Sequence, residues 1–184
     1  MISKKYLKDY RLEEQIDSNG RVKAKAVYIG GDYKLSPELS KSEKRVLLAL
    51  SALSTLLIIG ALIPVSQATR TTYVIMPFTF SILPVFIMIV TTLQLYRAKE
   101  VMRREQAERT AFRLPACTFT TMLLTAAAFL GQVITNVFSR DNIAIGDISF
   151  SVLSLTIVII NAIAFSKCRK MKATEHKIKS RPAC

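Results

Sequence analysis

The distribution of charge along the chain is the feature that most constrains its fold. Charged side chains are absent from four long stretches, residues 46–69, 71–96, 114–139 and 148–166. A helix needs about 20 mostly apolar residues to cross the hydrocarbon core of a bilayer. A buried helix of a soluble protein is rarely this long without a charge. The sequence therefore predicts an all-α integral membrane protein built as a bundle of four transmembrane helices.

The predicted bundle occupies residues 45–166. An N-terminal segment of residues 1–44 precedes it and a basic tail of residues 167–184 follows it. The first apolar run begins only after polar and charged residues, so no cleavable signal peptide is predicted and the first span is expected to direct insertion. The four spans are predicted over about 46–65, 73–96, 116–138 and 143–165.

Lysine and arginine are distributed unequally between the two sides of this bundle. Segments 1–45, 97–113 and 167–184 hold all of the 26 lysines and arginines except Arg70 and Arg140. Basic loops resist translocation, so the basic side, with both termini, is predicted to be cytoplasmic. Short outer loops and many Lys and Ile residues are typical of bacterial proteins, so the expected location is the cell inner (plasma) membrane.

The net charge of +13 follows from the same bias. Basic residues beside the spans are attracted to anionic head groups on the cytoplasmic side, which predicts contact with membrane lipids rather than with nucleic acid. The candidates for contact with lipid or with a partner are Arg103, Arg104, Lys167, Arg169 and Lys170.

A change of period in the N-terminal segment predicts a small cytoplasmic β-hairpin over about residues 10–29. Apolar and polar residues alternate through 10–16 and again through 22–28, on either side of Asn19-Gly20. Asn-Gly between two alternating runs is the strongest short hairpin signal, because both residues tolerate positive φ. The acidic residues Glu13, Glu14 and Asp17 are expected to face Arg21, Lys23 and Lys25.

A two-stranded hairpin is marginally stable in water, so this one is expected to pack on something else. The alternatives are the membrane surface, the 97–113 loop, a second copy of the chain, or a partner protein. After it, residues 33–35 are predicted as a short third strand and 36–38 as a helix start. Ser40 and Glu43 have the spacing of a capping box just before the first apolar run.

The 97–113 loop is predicted to be helical. The pairs Glu100/Arg104 and Glu105/Arg109 have the favoured i,i+4 spacing, with the acid first. No Gly or Pro occurs before Pro115, so the second span is expected to continue into the cytoplasm and the third to start at Pro115. This helix is either a solvated connector or a docking helix.

Polar residues inside the spans are candidates for helix packing or for a polar pathway. They form one stripe on the third span and one on the fourth, and the tight turn between these spans makes them antiparallel neighbours. Pro77 and Pro84 are expected to kink the second span. The stripe residues are Thr125, Gln132, Asn136, Asp147, Ser151, Ser154 and Asn161.

Residues that would support catalysis are sparse. His176 is the one histidine of the sequence and lies in the tail, and Gly30-Gly31 has no phosphate-binding motif around it. No catalytic residue, metal site or cofactor is predicted, and enzymatic activity is not expected. The preferred hypothesis is a membrane-anchored accessory or regulatory subunit that presents the hairpin and basic helix to a protein partner or larger complex. The alternative is a small transporter or channel component that works as a homo-oligomer through the polar stripes.

Overall fold

The computed structural model describes residues 8–16, 22–36, 39–63, 71–98, 102–138 and 144–176. These residues form five helices and five strands. The helices are α1 (Lys41–Ala61), α2 (Thr72–Phe80), α3 (Ile82–Arg97), α4 (Arg104–Phe138) and α5 (Ile145–Cys168). The strands are β1 (Tyr10–Ile16), β2 (Val22–Tyr28), β3 (Asp32–Ser36), β4 (Met102–Arg103) and β5 (Lys172–His176).

Four helical segments are long and apolar enough to cross a membrane, which confirms this part of the predicted fold class. They are α1, the pair α2–α3, α4 and α5. Helix α4 packs against α2, α3 and α5, and α1 packs against α3 and α5. Residues 64–70 and 139–143, which connect these segments in the sequence, lie outside the described residues.

The predicted hairpin is present as the antiparallel pair β1–β2. Its register aligns Tyr10 with Tyr28 and Glu13 with Lys25, as the expected charge pairing requires. Glu14 is aligned with Ala24, so the expectation that it faces a cation is wrong. The reason is that strand residues alternate between faces, and Glu14 falls in the apolar row. The Asn19-Gly20 turn, Asp17 and Arg21 lie outside the described residues.

Helix α1 begins at a capping box, as its sequence predicts. The Ser40 Oγ accepts a hydrogen bond from the Glu43 amide at 3.1 Å, and the Glu43 carboxylate accepts one from the Ser40 amide at 2.8 Å. The helix start predicted at 36–38 is wrong at Ser36, which belongs to β3. Pro37 and Glu38 are outside the described residues.

The second span is interrupted between α2 and α3. Pro84 has no amide hydrogen, so it cannot bond to the Phe80 carbonyl four residues earlier. Helix α2 ends at Phe80 and α3 begins at Ile82. The hydroxyl of the intervening Ser81 donates to the Phe78 carbonyl at 2.6 Å, which satisfies one acceptor beside the break. Pro77 lies within α2 and Pro84 within α3, on either side of this interruption, and the kink expected from them stays a prediction.

The helix predicted to continue the second span belongs instead to the third. Helix α3 ends at Arg97, and α4 runs from Arg104 through Pro115 to Phe138 without a break. The chain leaves the helix because Met102 pairs with β3 and buries its side chain in the core. At 35 residues α4 is about 52 Å long, well beyond the roughly 30 Å of a hydrocarbon core.

A three-stranded antiparallel sheet in the order β4–β3–β5 closes one end of the bundle, here called the sheet end. Its central strand β3 pairs Tyr33 with Met102 on one side and with Glu175 on the other. The third strand was predicted, but the basic tail was not expected to contribute one. The sheet therefore joins the segment before α1, the connection between α3 and α4, and the segment after α5.

The core is divided into two apolar clusters along the bundle. The sheet-end cluster contains Leu35, Leu47, Leu95, Met102 and Met171 among its buried residues. The far cluster contains Ile58, Val74, Phe78, Phe150 and Ile157. On α1 and α5, buried polar residues lie between the residues that belong to these two clusters.

Leu35→Ala is expected to unfold the sheet end at lower temperature, because this side chain is only 5% exposed and packs in the sheet-end cluster. Leucine truncation in a core typically costs about 2–5 kcal/mol. Thermal unfolding in detergent, followed by limited proteolysis of the two terminal segments, measures the effect. The control is Leu12→Ala on the hairpin, where the side chain is 73% exposed. Equal melting of both variants would contradict the buried role of Leu35.

Candidate functional site

Hydrogen bonds between polar side chains join the helices inside the bundle. The hydroxyls of Ser51 on α1 and Thr92 on α3 lie 2.9 Å apart. The hydroxyls of Tyr73 on α2 and Thr135 on α4 lie 2.8 Å apart. All of these except Tyr73 are buried. Each contact joins a different pair of helices.

Asn161 on α5 makes the corresponding contact with α1. Its Nδ2 donates to Ser54 Oγ at 2.9 Å and to the Ile157 carbonyl at 2.9 Å. Asn161 and Ser54 are both fully buried. The sequence placed Asn161 in a stripe expected to meet the third span, and the structure turns it toward the first. The reason is that α5 packs between α1 and α4, so its stripe faces two neighbours.

Gln132, Asn136 and Asp147 form a cluster between α4 and α5, as the facing stripes predict. The Nε2 of Gln132 donates to Asn136 Oδ1 at 2.9 Å and to Asp147 Oδ1 at 3.2 Å. The other carboxylate oxygen of Asp147 accepts a hydrogen bond from the Ala144 amide at 3.2 Å. Asp147 therefore holds the start of α5 and joins it to α4 through the same carboxylate.

The remaining stripe residues bond within their own helices. Thr125 Oγ1 donates to the Thr121 carbonyl at 2.8 Å, and Ser151 Oγ donates to the Asp147 carbonyl at 2.8 Å. Ser154 Oγ donates to the Ser151 carbonyl at 3.0 Å. Three of the seven stripe residues therefore lie together, and Asn161 contacts α1. The other three bond to backbone carbonyls of their own helices.

Sequence reasoning missed the residues of α1 and α2 that complete these contacts. Ser51 and Ser54 are three residues apart in the uncharged part of α1, and that spacing was the available signal. Gly131 on α4 lets α2 approach closely, since a Cβ there would lie 3.1 Å from Val74 Cγ2 and 3.3 Å from Tyr73 Cδ2. Small residues at such crossings allow close helix packing in membranes.

At the sheet end, the base of the hairpin is attached to the start of α4. The Tyr28 hydroxyl accepts a hydrogen bond from the Arg104 amide at 3.1 Å and donates one to the Gly31 carbonyl at 2.8 Å. The guanidinium of Arg103 lies 5.5 Å from the centre of the Tyr28 ring, within cation–π range. Tyr10 contacts the same ring edge to face. Of the surfaces on which the hairpin was expected to pack, the structure shows contact with the 97–113 segment.

The first turns of α4 carry ion pairs on the outside of the bundle. Glu105 pairs with Arg109, as predicted. Arg104, expected to pair with Glu100, donates instead through Nε to Glu108 at 2.9 Å, and Glu100 lies outside the described residues. This hydrogen bond raises the pKa of Arg104 above its already high ordinary value. Arg104 is therefore engaged with neighbouring groups.

The other basic candidates are more open. Arg103 is exposed above Tyr28, and Lys167, Arg169 and Lys170 are exposed at and just beyond the end of α5. Arg103 belongs to β4, whereas Lys167, Arg169 and Lys170 precede β5, and these two strands form opposite edges of the sheet. Within the described ranges, no group of three or more His, Cys, Asp or Glu side chains is placed to hold a metal ion.

No protein-family model matches this sequence, and comparisons with curated proteins and with solved structures also find no match.

Gly131→Leu is expected to destabilise the α2–α4 contact by about 1–3 kcal/mol, because the new side chain overlaps Val74 and Tyr73. Thermal melting in detergent measures the change. Ala127→Leu is the matched control, since Ala127 lies one helical turn earlier on α4 and is exposed. Equal melting temperatures of the Gly131 and Ala127 variants would show that the close approach of α2 to α4 does not contribute to stability.

A double-mutant cycle on Asn161→Ala and Ser54→Ala is expected to give a coupling energy of about 0.6 kcal/mol, and at most about 1.7 kcal/mol, typical of hydrogen bonds between transmembrane helices. The free energies of unfolding of the wild type, the two single variants and the double variant, measured in mixed micelles, give this coupling energy. Strictly additive effects would mean that the 2.9 Å contact contributes nothing to helix association.

Proposed function

We propose that the chain is a multi-pass membrane protein. The outward faces of its helices expose large apolar side chains, including Leu56, Phe80, Leu83, Phe86 and Val152. Contiguous apolar surface of this extent is rare on soluble monomers, whereas lipid tails match it. The helical backbone satisfies its own hydrogen bonds, as a segment in hydrocarbon must.

The orientation we propose places the sheet end in the cytoplasm of a cell whose inner (plasma) membrane holds the bundle. Support comes from the 24 lysines and arginines in segments 1–45, 97–113 and 167–184. Parts of all three segments meet in the sheet, so the basic residues belong to one side. The positive-inside rule assigns that side to the cytoplasm. A bacterial source remains part of this proposal, on composition alone.

On this membrane anchor, the function we propose is that of a non-enzymatic accessory or regulatory subunit that binds a protein partner through its hairpin. The observation that carries this proposal is the attachment of the hairpin at its base, with an apolar side chain left exposed further along it. Tyr28 and Asp9 contact Arg104, while Leu12 further along the same face is 73% exposed. Among the described elements, β1 and β2 pack extensively only on each other.

The contacts inside the bundle are consistent with an anchor. Side-chain hydrogen bonds between α1 and α3, α1 and α5, α2 and α4, and α4 and α5 use polar groups to hold helices together. In lipid, where no hydrophobic force draws helices together, such contacts and close packing are the source of association.

An oligomeric transporter or channel component is the second candidate, and one observation favours it. Gln132 Oε1 and Asn161 Oδ1 are buried acceptors without a hydrogen-bond partner among the described residues. Unsatisfied acceptors inside a bundle are costly, and they are the groups that a permeating cation or water would contact.

Affinity purification of the tagged protein in mild detergent tests the accessory role. We expect a stoichiometric protein partner that is lost from Leu12→Asp and retained by Arg11→Asp. The two positions are adjacent and exposed but lie on opposite faces of β1. The two variants therefore introduce a carboxylate on opposite faces of β1. Loss of the partner in the Leu12 variant alone would show that the partner binds the face that carries Leu12.

A homo-oligomer that purifies without any partner would overturn the accessory role. In that case, ion flux into liposomes that is abolished by Gln132→Leu or Asn161→Leu, with assembly intact, would support the transporter.

A further inference from the structure

A basic cavity lies between the end of α3 and the start of α4. It has a volume of about 860 Å³, and its described lining includes Arg97, Arg103, Arg109 and Arg113, with Glu105 as the one carboxylate among these described residues. Thr91, Thr110 and Met102, all buried, belong to the same lining. A volume in this range fits a small-molecule site better than a single ion.

Among the described lining residues, four arginines are accompanied by one carboxylate, that of Glu105. Glu105 pairs with Arg109. Arg97 and Arg113 have no carboxylate partner among the described residues, and Arg103 lies over the Tyr28 ring. Arginines that converge without counter-charge repel each other, and an anion between them relieves that repulsion. Guanidinium groups bind phosphate oxygens bidentately, which makes phosphate the natural anion for this lining.

The position of the cavity along the bundle indicates the source of the phosphate. Arg97 is the first charged residue after the uncharged stretch 71–96, and Arg113 is the last before the stretch 114–139. The cavity therefore lies where the apolar helices become polar. Tyr96 and Phe112, beside these two arginines, are exposed, and aromatic residues are enriched at the interface between lipid and water.

We propose that this cavity binds the phosphate-bearing head group of an anionic lipid. Basic pockets between transmembrane helices at the cytoplasmic side are suited to such head groups. The inference rests on the proposed membrane insertion, but not on the proposed partner, because it concerns a different surface from the exposed face of the hairpin.

The site also touches the hairpin attachment. Arg103 contributes to the cavity and lies 5.5 Å from the ring centre of Tyr28. A bound phosphate attracts the same guanidinium that the Tyr28 ring attracts. Arg103 is therefore shared by the cavity and the base of the hairpin.

Binding of short-chain phosphatidylglycerol to the purified full-length protein tests the proposal, with short-chain phosphatidylcholine as the zwitterionic reference. We expect a clear preference for phosphatidylglycerol. Arg97→Gln/Arg113→Gln is expected to weaken its binding about 25-fold, or about fivefold per arginine. The charge-matched control Lys41→Gln/Arg45→Gln, at exposed positions at the start of α1, is expected to bind as the wild type does.

Equal weakening in both double variants would overturn the proposal, since it would show diffuse attraction to a basic surface. Absence of a preference over phosphatidylcholine would overturn it as well. Gln106→Trp narrows the cavity without changing charge and is also expected to weaken binding. Unchanged binding in this variant, once its melting shows that it is folded, would contradict the cavity as the site.

Glycerol 3-phosphate distinguishes a lipid from a soluble phosphate ester. We expect no competition at concentrations that match the lipid. Effective competition would overturn the lipid assignment in favour of a soluble ester. Since lipid binding is measured on the isolated chain, its failure leaves the partner test unaffected, and the reverse also holds.

Discussion

The pairing of β3 with two distant segments is the interaction on which the sheet end depends. Strand β3 has β4 on one side and β5 on the other, with β5 paired along all five residues and β4 paired with Asp32 and Tyr33. That pairing carries Met102 and Met171 into contact with Leu35, and it determines where α4 begins. The Arg104 amide then becomes available to the Tyr28 hydroxyl, which attaches the hairpin. The attachment of the hairpin, the basic cavity and the first turn of α4 all depend on this set of strand hydrogen bonds.

The bundle depends on a different kind of interaction. Under the proposed membrane insertion, its apolar outer faces contribute nothing to helix association, and specificity then comes from buried polar groups and close packing. The contacts of Asn161, Gln132 and Thr92 join three different helix pairs. Gly131 adds a fourth by allowing α2 to approach α4. Together these contacts define which helices are neighbours, while the apolar clusters fill the space between them.

Local features of this fold could be predicted from the sequence. The uncharged stretches, the alternation around Asn19-Gly20 and the Ser40–Glu43 spacing each specify a structure from residues close together in the chain. The tail strand β5 could not be predicted, because Lys172–His176 is too short and polar to predict a strand without its partner β3. The end of α3 at Arg97 could not be predicted either, because it depends on the pairing of Met102 with β3, a strand distant in the sequence. The hydrogen-bond partner of Asn161 could not be predicted, because it depends on which helices are neighbours. The periodicity of the sequence does not give that information.

The long-range pairing in the sheet has a consequence for how the protein is made. Thr174 bonds to the Lys34 carbonyl across 140 residues of sequence. At about 5–20 residues per second of synthesis, β3 waits on the order of ten seconds for the strand that completes its pairing. Meanwhile the ribosome still holds the chain, and the later helices have yet to be synthesised. The nascent N-terminal segment is thus an unfinished sheet edge during translation, the period in which chaperones and proteases have access to it.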